Sequence, residues 1–202
     1  MVSMKTIYAF DLDGTITMEE TLPLLAKELG LWDEMRILTE LTLEGRIDFM
    51  QSFRLRYYIL RSIPLDIIQR IMGDVRLDPA ICDFICSRRE ACAVVTGNLD
   101  VWIEPITAKL GCRCFSSRSH TDARGMVVLD SILDKGEAIR TMKKTADKVV
   151  AVGESVNDIP MFEEADVAIS YGGVHPPVPQ AVAVSDYVVF EGGALCRLLN
   201  VL

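Results

Sequence analysis

The stretch IYAFDLDGT, residues 7–15, indicates both the fold of this chain and the place of its chemistry. The apolar run at 7–10 is typical of a strand that is buried on both faces of a sheet. Asp11 and Asp13 follow it, and residues two apart in extended chain point to the same side. Two carboxylates at the end of a buried strand are costly unless a cation such as Mg²⁺ accompanies them. The alternative is a merely acidic turn, since Asp and Gly are common turn residues.

The composition is that of an ordinary globular enzyme: 202 residues, 50% hydrophobic and 25% charged. The net charge of -8 argues against a nucleic-acid partner, which needs a basic surface. No apolar stretch approaches the roughly 20 residues of a membrane span, and Asp11 interrupts the only candidate signal peptide. The six cysteines lack the paired spacing of zinc sites and are expected to be reduced. We therefore expect a cytoplasmic enzyme without a nucleic-acid or membrane partner.

Between about Glu19 and Met72, apolar residues recur at helical spacing, which predicts four short amphipathic helices and no strand. After Asp78 the pattern alternates between strands and helices. The predicted strands are 91–95, two short ones beside the 122–125 turn, 148–152, 166–170 and 187–190. The predicted helices are about 79–89, one ending at Leu110, one after Asp134, 155–164 and 193–200. Such alternation indicates a parallel sheet that is covered on both faces.

Polar clusters follow three of the predicted strands, at 11–13, 96–98 and 153–158. In open α/β sheets, ligands bind beyond the carboxyl ends of the strands. Each later cluster is, by itself, also compatible with a plain turn or a capped helix start. Lys135 lies in the first turn of a helix that Asp134 caps, where the helix dipole disfavours a cation. Neutralising a phosphate and nearby carboxylates is a reason for a lysine at this position.

The order Asp-x-Asp-Gly-Thr, Thr, Lys and Gly-Glu-x3-Asp resembles the haloacid dehalogenase-like phosphatase superfamily over the whole chain. Within it the chain is similar to the phosphoserine phosphatase branch, through the helical insert after the first motif, its entry at 19–21 and residues 49–56. Two positions depart from that pattern. Glu154 stands where family members usually carry Asp, and Thr96-Gly97-Asn98 stands where phosphoserine phosphatases usually carry Ser-Gly-Gly.

The resemblance implies an α/β fold with a three-layer, doubly wound parallel sheet and a small helical-bundle cap. The core is expected at 1–16 and 76–202, and the cap domain at 17–75. Asp11 is implied as the nucleophile that forms an aspartyl-phosphate. Asp13 is implied as the general acid and then the general base, and Lys135 as a catalytic cation.

The cofactor that the resemblance implies is Mg²⁺. Its implied ligands are Asp11, Asp13, Glu154 and Asp158. The implied substrate-binding residues are Glu20, Arg56, Thr96, Gly97, Asn98 and Asn157. Among these, Glu20 is expected to meet a substrate ammonium and Arg56 a substrate carboxylate. The alternatives are an ordinary acid at a helix N-terminus for Glu20 and a surface arginine on an amphipathic helix for Arg56.

The predicted function is a Mg²⁺-dependent phosphomonoester hydrolase for a small phosphorylated metabolite, with phosphoserine as the first candidate. A sugar phosphate or a nucleotide as substrate, and phosphotransfer to a second acceptor, are open alternatives of the same class. A second class of function is a non-catalytic family member that binds a phosphorylated ligand. Only Glu154 favours that class, whereas the intact Asp11, Asp13 and Lys135 argue against it.

Overall fold

A computed structural model describes residues 5–202, which are built around one seven-stranded sheet. The strands are β1 Thr6–Phe10, β2 Cys92–Leu99, β3 Arg113–Thr121, β4 Val127–Ser131, β5 Lys148–Gly153, β6 Val167–Tyr171 and β7 Tyr187–Val189. Their order across the sheet is β4-β3-β2-β1-β5-β6-β7. All neighbouring strands are parallel except β3 and β4, which form an antiparallel edge.

Ten α-helices accompany the sheet within the described residues. They are α1 Thr21–Ala26, α2 Trp32–Leu43, α3 Phe49–Leu60, α4 Leu65–Asp74, α5 Pro79–Ser87, α6 Asp100–Leu110, α7 Lys135–Lys143, α8 Ile159–Glu164, α9 Pro179–Ala183 and α10 Gly192–Leu199. None of the helices in this part of the chain is both long and apolar enough to span a bilayer.

The central strand β1 is buried on both sides, as its apolar run predicts. Its Ala9 pairs with Ala93 of β2 and with Ala151 of β5, and these three alanines share one face of the sheet with Ile7. Phe10 belongs to the core cluster on the other face. Because side chains alternate across a strand, each β1 residue contributes to one of two separate cores.

Helices cover both faces, which gives the three layers. Buried residues of α5, α6 and α10 pack on the face of Phe10, whereas those of α7, α8 and α9 pack on the alanine face. The predicted α/β fold class is therefore confirmed. The six cysteines are free thiols, as expected from their spacing.

The four helices α1–α4, which we call the cap helices, lie between β1 and β2 in the chain, where four helices were predicted. Their buried residues, among them Leu25, Phe53 and Met72, join the same core cluster as Trp102 of α6. The predicted domain boundaries, a cap domain at 17–75 and a core at 1–16 and 76–202, stay a prediction. Residues 1–4 lie outside the described range.

Several elements differ from the sequence-based predictions. The strand expected to end at 95 continues to Leu99, with a register shift between Thr96 and Leu99. The strand before the 122–125 turn is nine residues long, because its first half pairs with β2 and its second half with β4. Helix α9 was not predicted, since its five residues begin with a proline and are too short to show a period.

Candidate active site

The carboxyl ends of β1, β2 and β5 lie side by side and bring the three predicted polar clusters together. Asp11 directly follows β1, is 6% exposed, and donates its backbone N–H to the carbonyl of Val152, at 2.9 Å. The chain then turns tightly over 12–16, where Gly14 has a φ of +75°. A Cβ at this glycine would also collide with the carboxylate of Glu154. A glycine is thus needed here for the turn and for the close approach of Glu154.

Lys135 connects two acidic residues of the site. It is the first residue of α7, is 3% exposed, and its Nζ donates to Asp11 Oδ1 and, at 2.6 Å, to Asp158 Oδ1. Burial disfavours its charge, but the two carboxylates outweigh this effect and raise the pKa of Lys135. Burial raises the pKa of Asp11 well above its usual range, against the influence of Lys135, and Asp158 and Asp13 add to the rise. One ammonium does not balance the negative charge of these carboxylates, so the site favours a further cation.

Both oxygens of Asp158 are occupied by donors from the protein. Oδ1 accepts from Lys135, while Oδ2 accepts from the backbone N–H groups of Glu154 and Ser155, each at 2.9 Å, and from Ser155 Oγ at 3.0 Å. These contacts hold Lys135 and the turn after β5 in place. They indicate a positioning role for Asp158, and its role as a metal ligand stays a prediction.

Glu154 has the opposite surroundings. Its side chain is 3% exposed, and neither carboxylate oxygen has a hydrogen-bond partner among the described residues. Burial raises the pKa of Glu154 well above its usual range, and the carboxylates of Glu20 and Asp11 raise it further. A buried, unpaired carboxylate beside Asp11 fits a hard divalent cation, because such ions select oxygen ligands and supply the missing positive charge.

Asp13 is oriented by two residues, one of which was not predicted to take part in the site. Its Oδ1 accepts from the backbone N–H of Thr21, at 3.1 Å, and from Thr21 Oγ1. Asn98 Nδ2 donates to Thr21 Oγ1 at 2.8 Å and to Asp13 Oδ2 at 3.4 Å. The free N–H groups at the start of α1 attract a carboxylate, which is the signal that could have revealed Thr21.

A cavity of about 50 Å³ lies above these groups. Its lining contains every predicted substrate-binding residue: Glu20, Arg56, Thr96, Gly97, Asn98 and Asn157. Asp11 and Asp13 form its floor, and Leu22, Phe49 and Phe53 of the cap helices add apolar walls. A Cβ on Gly97 would collide with the ring of Phe49, so the glycine allows α3 to approach β2 closely.

The end of β2 is held by its own side chains. Thr96 is 1% exposed, and its Oγ1 accepts from the backbone N–H of Asn98 at 3.1 Å. The backbone N–H of Asn98, an implied substrate-binding residue, therefore already has a partner within the protein. The Thr96 hydroxyl keeps its hydrogen for donation into the cavity.

Arg56 is buried, with 4% exposure, so the alternative interpretation as a surface arginine is wrong. Its only described hydrogen-bond partners are neutral: the Ser52 carbonyl at 3.4 Å and Thr39 Oγ1 at 3.3 Å. Burial lowers the pKa of Arg56 to about 10, opposed by the more distant charges of Glu20 and Asp13. Arg56 lines the cavity and has no carboxylate as hydrogen-bond partner among the described residues. A buried guanidinium in these surroundings is suited to bind an anionic group of a ligand.

The buried Oε1 of Glu20 also has no hydrogen-bond partner in the part of the chain that the structure describes. The nearest cation candidate is His175, whose Nε2 lies 3.5 Å away. Burial raises the pKa of Glu20, and His175 opposes the rise. His175 was not predicted to belong to the site. Its position shortly after β6, at the same edge of the sheet as the polar clusters, is the signal that could have indicated it.

Comparisons with known proteins show which family the chain is similar to. The chain is 30% identical over 187 residues to a phosphoserine phosphatase of Methanocaldococcus jannaschii, covering 85% of this chain and 87% of the relative. It is 29% identical over 180 residues to a phosphoserine phosphatase of Archaeoglobus fulgidus, covering 83% of this chain. That alignment spans about half of the Archaeoglobus protein, 52%.

The fold is similar to a solved structure described as a phospho-aspartyl intermediate analogue of phosphoserine phosphatase. The TM-score is 0.83 at 25% identity, over 99% of this chain and 100% of the other. A family profile for haloacid dehalogenase-like hydrolases matches residues 8–163, a range that includes Asp11, Lys135 and Asp158. The predicted resemblance is confirmed: the chain belongs to the haloacid dehalogenase-like hydrolase family.

Proposed function

We propose that this hydrolase is a Mg²⁺-dependent phosphatase that cleaves phosphoserine through an aspartyl-phosphate on Asp11. The observation that carries the proposal is the arrangement of the cavity. Its lining combines Asp11 and Asp13 with a buried guanidinium, Arg56, and a partly buried carboxylate, Glu20. Among the described residues Arg56 has only neutral hydrogen-bond partners, and Glu20 Oε1 has none, with His175 Nε2 at 3.5 Å. We also keep the cytoplasm as the proposed location.

Asp11 attacks phosphorus in the first step. Lys135 occupies its Oδ1, which leaves Oδ2 for the attack, and the ammonium favours the ionised carboxylate. A bond forms between Asp11 Oδ2 and phosphorus while the bond from phosphorus to the serine oxygen breaks. Lys135 and the hydroxyl of Thr96 stabilise the charge on the transferring group. The solved analogue of a phospho-aspartyl intermediate supports this step by similarity.

Asp13 moves the proton in both steps. As an acid it protonates the serine oxygen that leaves, and as a base it then takes a proton from the water that hydrolyses the aspartyl-phosphate. Its contacts with Thr21 and Asn98 fix the carboxylate at the cavity floor. Since Thr21 begins α1, these contacts also couple the acid to the position of the cap helices.

Asp11, Glu154 and the backbone carbonyl of Asp13 are the groups that we assign to Mg²⁺. When bound, the metal would neutralise phosphate charge and help to orient the phosphate for in-line attack. Asp158 fixes the turn that contains Glu154, because its Oδ2 accepts from the backbone N–H of Glu154 at 2.9 Å.

Arg56 and Glu20 select the substrate. Phosphoserine carries a carboxylate for Arg56 and an ammonium for Glu20, whereas sugar phosphates carry neither group. The cavity of about 50 Å³ is smaller than the about 300 Å³ typical of small-molecule pockets. We therefore infer that the cap helices move apart from the core to admit the substrate and close again for the reaction.

The experiment compares kcat/KM for phosphoserine with two analogues that each lack one group. Phosphoethanolamine lacks the carboxylate, and 3-phosphooxypropionate lacks the ammonium. Each lost charge-assisted contact is worth about 1.5–3 kcal/mol, so we expect each analogue to react about 10- to 100-fold less efficiently.

Equal rates on all three esters would reject amino-acid recognition and favour a sugar phosphate or a nucleotide as substrate. Tight phosphoserine binding without hydrolysis in the presence of Mg²⁺ would instead support the non-catalytic alternative.

A further inference from the structure

Three side chains at the edge of the catalytic cavity form a cluster that the proposed reaction does not use as a unit. One ligand atom each from Glu20, Glu154 and His175 lies within 4.8 Å of the other two. Both Glu154 oxygens, Glu20 Oε1 and His175 Nε2 are buried atoms without hydrogen-bond partners among the described residues. Glu154 itself is 3% exposed. Three ligand atoms that converge on one point, from two carboxylates and an imidazole, are an arrangement that can hold a metal ion.

Two carboxylates and one imidazole leave the cluster negatively charged even when His175 is protonated, so a further cation is needed. Two carboxylates this close together repel each other, and burial removes the water that would screen them. Mg²⁺ shared with Asp11 would neutralise Glu154, and a substrate ammonium would neutralise Glu20. Neither Mg²⁺ nor the substrate ammonium would use the Nε2 of His175 as a ligand atom.

The imidazole decides which cation fits. Mg²⁺ selects oxygen ligands, whereas Zn²⁺ and other first-row transition metals also bind imidazole nitrogen. Three protein ligands and a water complete the tetrahedron that Zn²⁺ prefers. We infer that Glu20, Glu154 and His175 form a second metal site, which binds a transition metal ion such as Zn²⁺. The length of Glu154 contributes, since its carboxylate reaches one methylene further than that of an aspartate.

The site has a consequence that rests on the proposed function. A bound Zn²⁺ ion would occupy Glu20, which the substrate ammonium needs, and Glu154, which Mg²⁺ needs. Zn²⁺ therefore inhibits phosphoserine hydrolysis, and higher concentrations of Mg²⁺ or phosphoserine relieve the inhibition.

The test uses the fact that the chain has only two histidines. In protein labelled with ¹⁵N-histidine, we expect one equivalent of Zn²⁺ without Mg²⁺ to shift the Nε2 signal of His175. His120 is the internal control, because its exposed ring lies on β3 beside Asp130, at 2.7 Å. Zinc at a cysteine thiol cannot imitate this result, since the nucleus observed is the imidazole nitrogen.

Calorimetry provides the second measurement. We expect His175→Ala and Glu20→Gln each to weaken Zn²⁺ binding more than about 100-fold, beyond the about 10- to 100-fold lost with groups that only support a ligand. His120→Ala should leave it unchanged. An unshifted His175 nitrogen at saturating Zn²⁺, in the wild-type protein, overturns the site without any variant. Equal losses of Zn²⁺ affinity in His175→Ala and His120→Ala would overturn the proposed metal site as well.

The two proposals fail in different ways. A protein that does not hydrolyse phosphoserine but shows the His175 shift keeps the metal site and loses the proposed substrate. An active phosphoserine phosphatase with an unshifted His175 keeps its function and loses the metal site.

Discussion

The charge balance of the catalytic centre depends on Lys135, whose ammonium lies between Asp11 and Asp158. A buried ion pair is stable only when further contacts satisfy the remaining lone pairs. Asp158 meets that condition through the backbone and side chain of Ser155 and the backbone of Glu154. Within residues 5–202, Asp11 keeps one carboxylate oxygen free of protein donors, as an attack on phosphorus would require.

We expect Asp11→Asn to lower kcat by about 10⁴-fold or more, the size of effect seen when a catalytic nucleophile is removed. The amide has nearly the same shape but is neither anionic nor nucleophilic, so circular dichroism should show an intact fold. Asp130→Asn is a control on an exposed acid. Steady-state hydrolysis by the Asp11 variant, with contamination excluded, would show that the nucleophile is misassigned.

Glu154→Ala should raise the Mg²⁺ concentration needed for half-maximal activity by more than about 10-fold, because a direct ligand matters at least as much as a supporting one. Glu154→Asp keeps the carboxylate and should retain activity at high Mg²⁺. The measurement is a Mg²⁺ titration of the initial rate for all three proteins. An unchanged titration for the alanine variant would transfer the ligand role to Asp158.

Helix α3 contributes three residues of one face to the cavity lining: Phe49, Phe53 and Arg56. These residues are three or four apart in sequence, the spacing of one helix face. Asp48 caps the helix by accepting from the backbone N–H of Gln51 at 3.0 Å. Any movement of α3 therefore displaces the apolar wall and the guanidinium together.

Arg56→Ala should lower kcat/KM for phosphoserine about 10- to 100-fold more than for p-nitrophenyl phosphate, because only phosphoserine has a carboxylate to lose its charged partner. Arg54→Ala is the matched control, being an exposed arginine of the same helix. The assay measures both substrates with all three proteins. Equal losses on the two substrates would mean that Arg56 serves structure rather than recognition.

The cap helices and the core are also joined on the side away from Asp11. The hydroxyl of Tyr57, on α3, donates to the Val127 carbonyl at 2.9 Å and accepts from the Leu129 N–H at 3.1 Å. Tyr57 is 3% exposed. One buried hydroxyl thus satisfies two backbone groups of the edge strand β4, and this contact connects α3 to the sheet.

Tyr57→Phe should lower the free energy of unfolding by about 1–3 kcal/mol, because it leaves a buried acceptor and a partly buried donor without this partner. Urea unfolding measures the change. Tyr58→Phe is the control, since Tyr58 is 60% exposed and its substitution should alter stability by less than about 0.5 kcal/mol. A similar small loss in both variants would show that water replaces the Tyr57 hydroxyl.

Local sequence patterns were sufficient for the framework of this protein. The apolar run before Asp11 and the alternation after Asp78 predicted the strands, because burial on a sheet imposes its period on neighbouring residues. Helical spacing predicted the four cap helices, because burial of one face of a helix imposes the helical period on its apolar residues. The strand ends then placed Asp11, Thr96 and Glu154 at one edge, since parallel strands end together.

Contacts between distant segments were decided only by the tertiary structure. Periodicity shows that α3 has an apolar face but not what covers it, so the burial of Arg56 and its place opposite Glu20 were not decided by the sequence. The pairing of Asp13 with Thr21 and the approach of His175 to Glu20 and Glu154 depend on how loops meet over the sheet. Such contacts leave no period in the chain, because each joins residues whose neighbours in sequence are packed elsewhere.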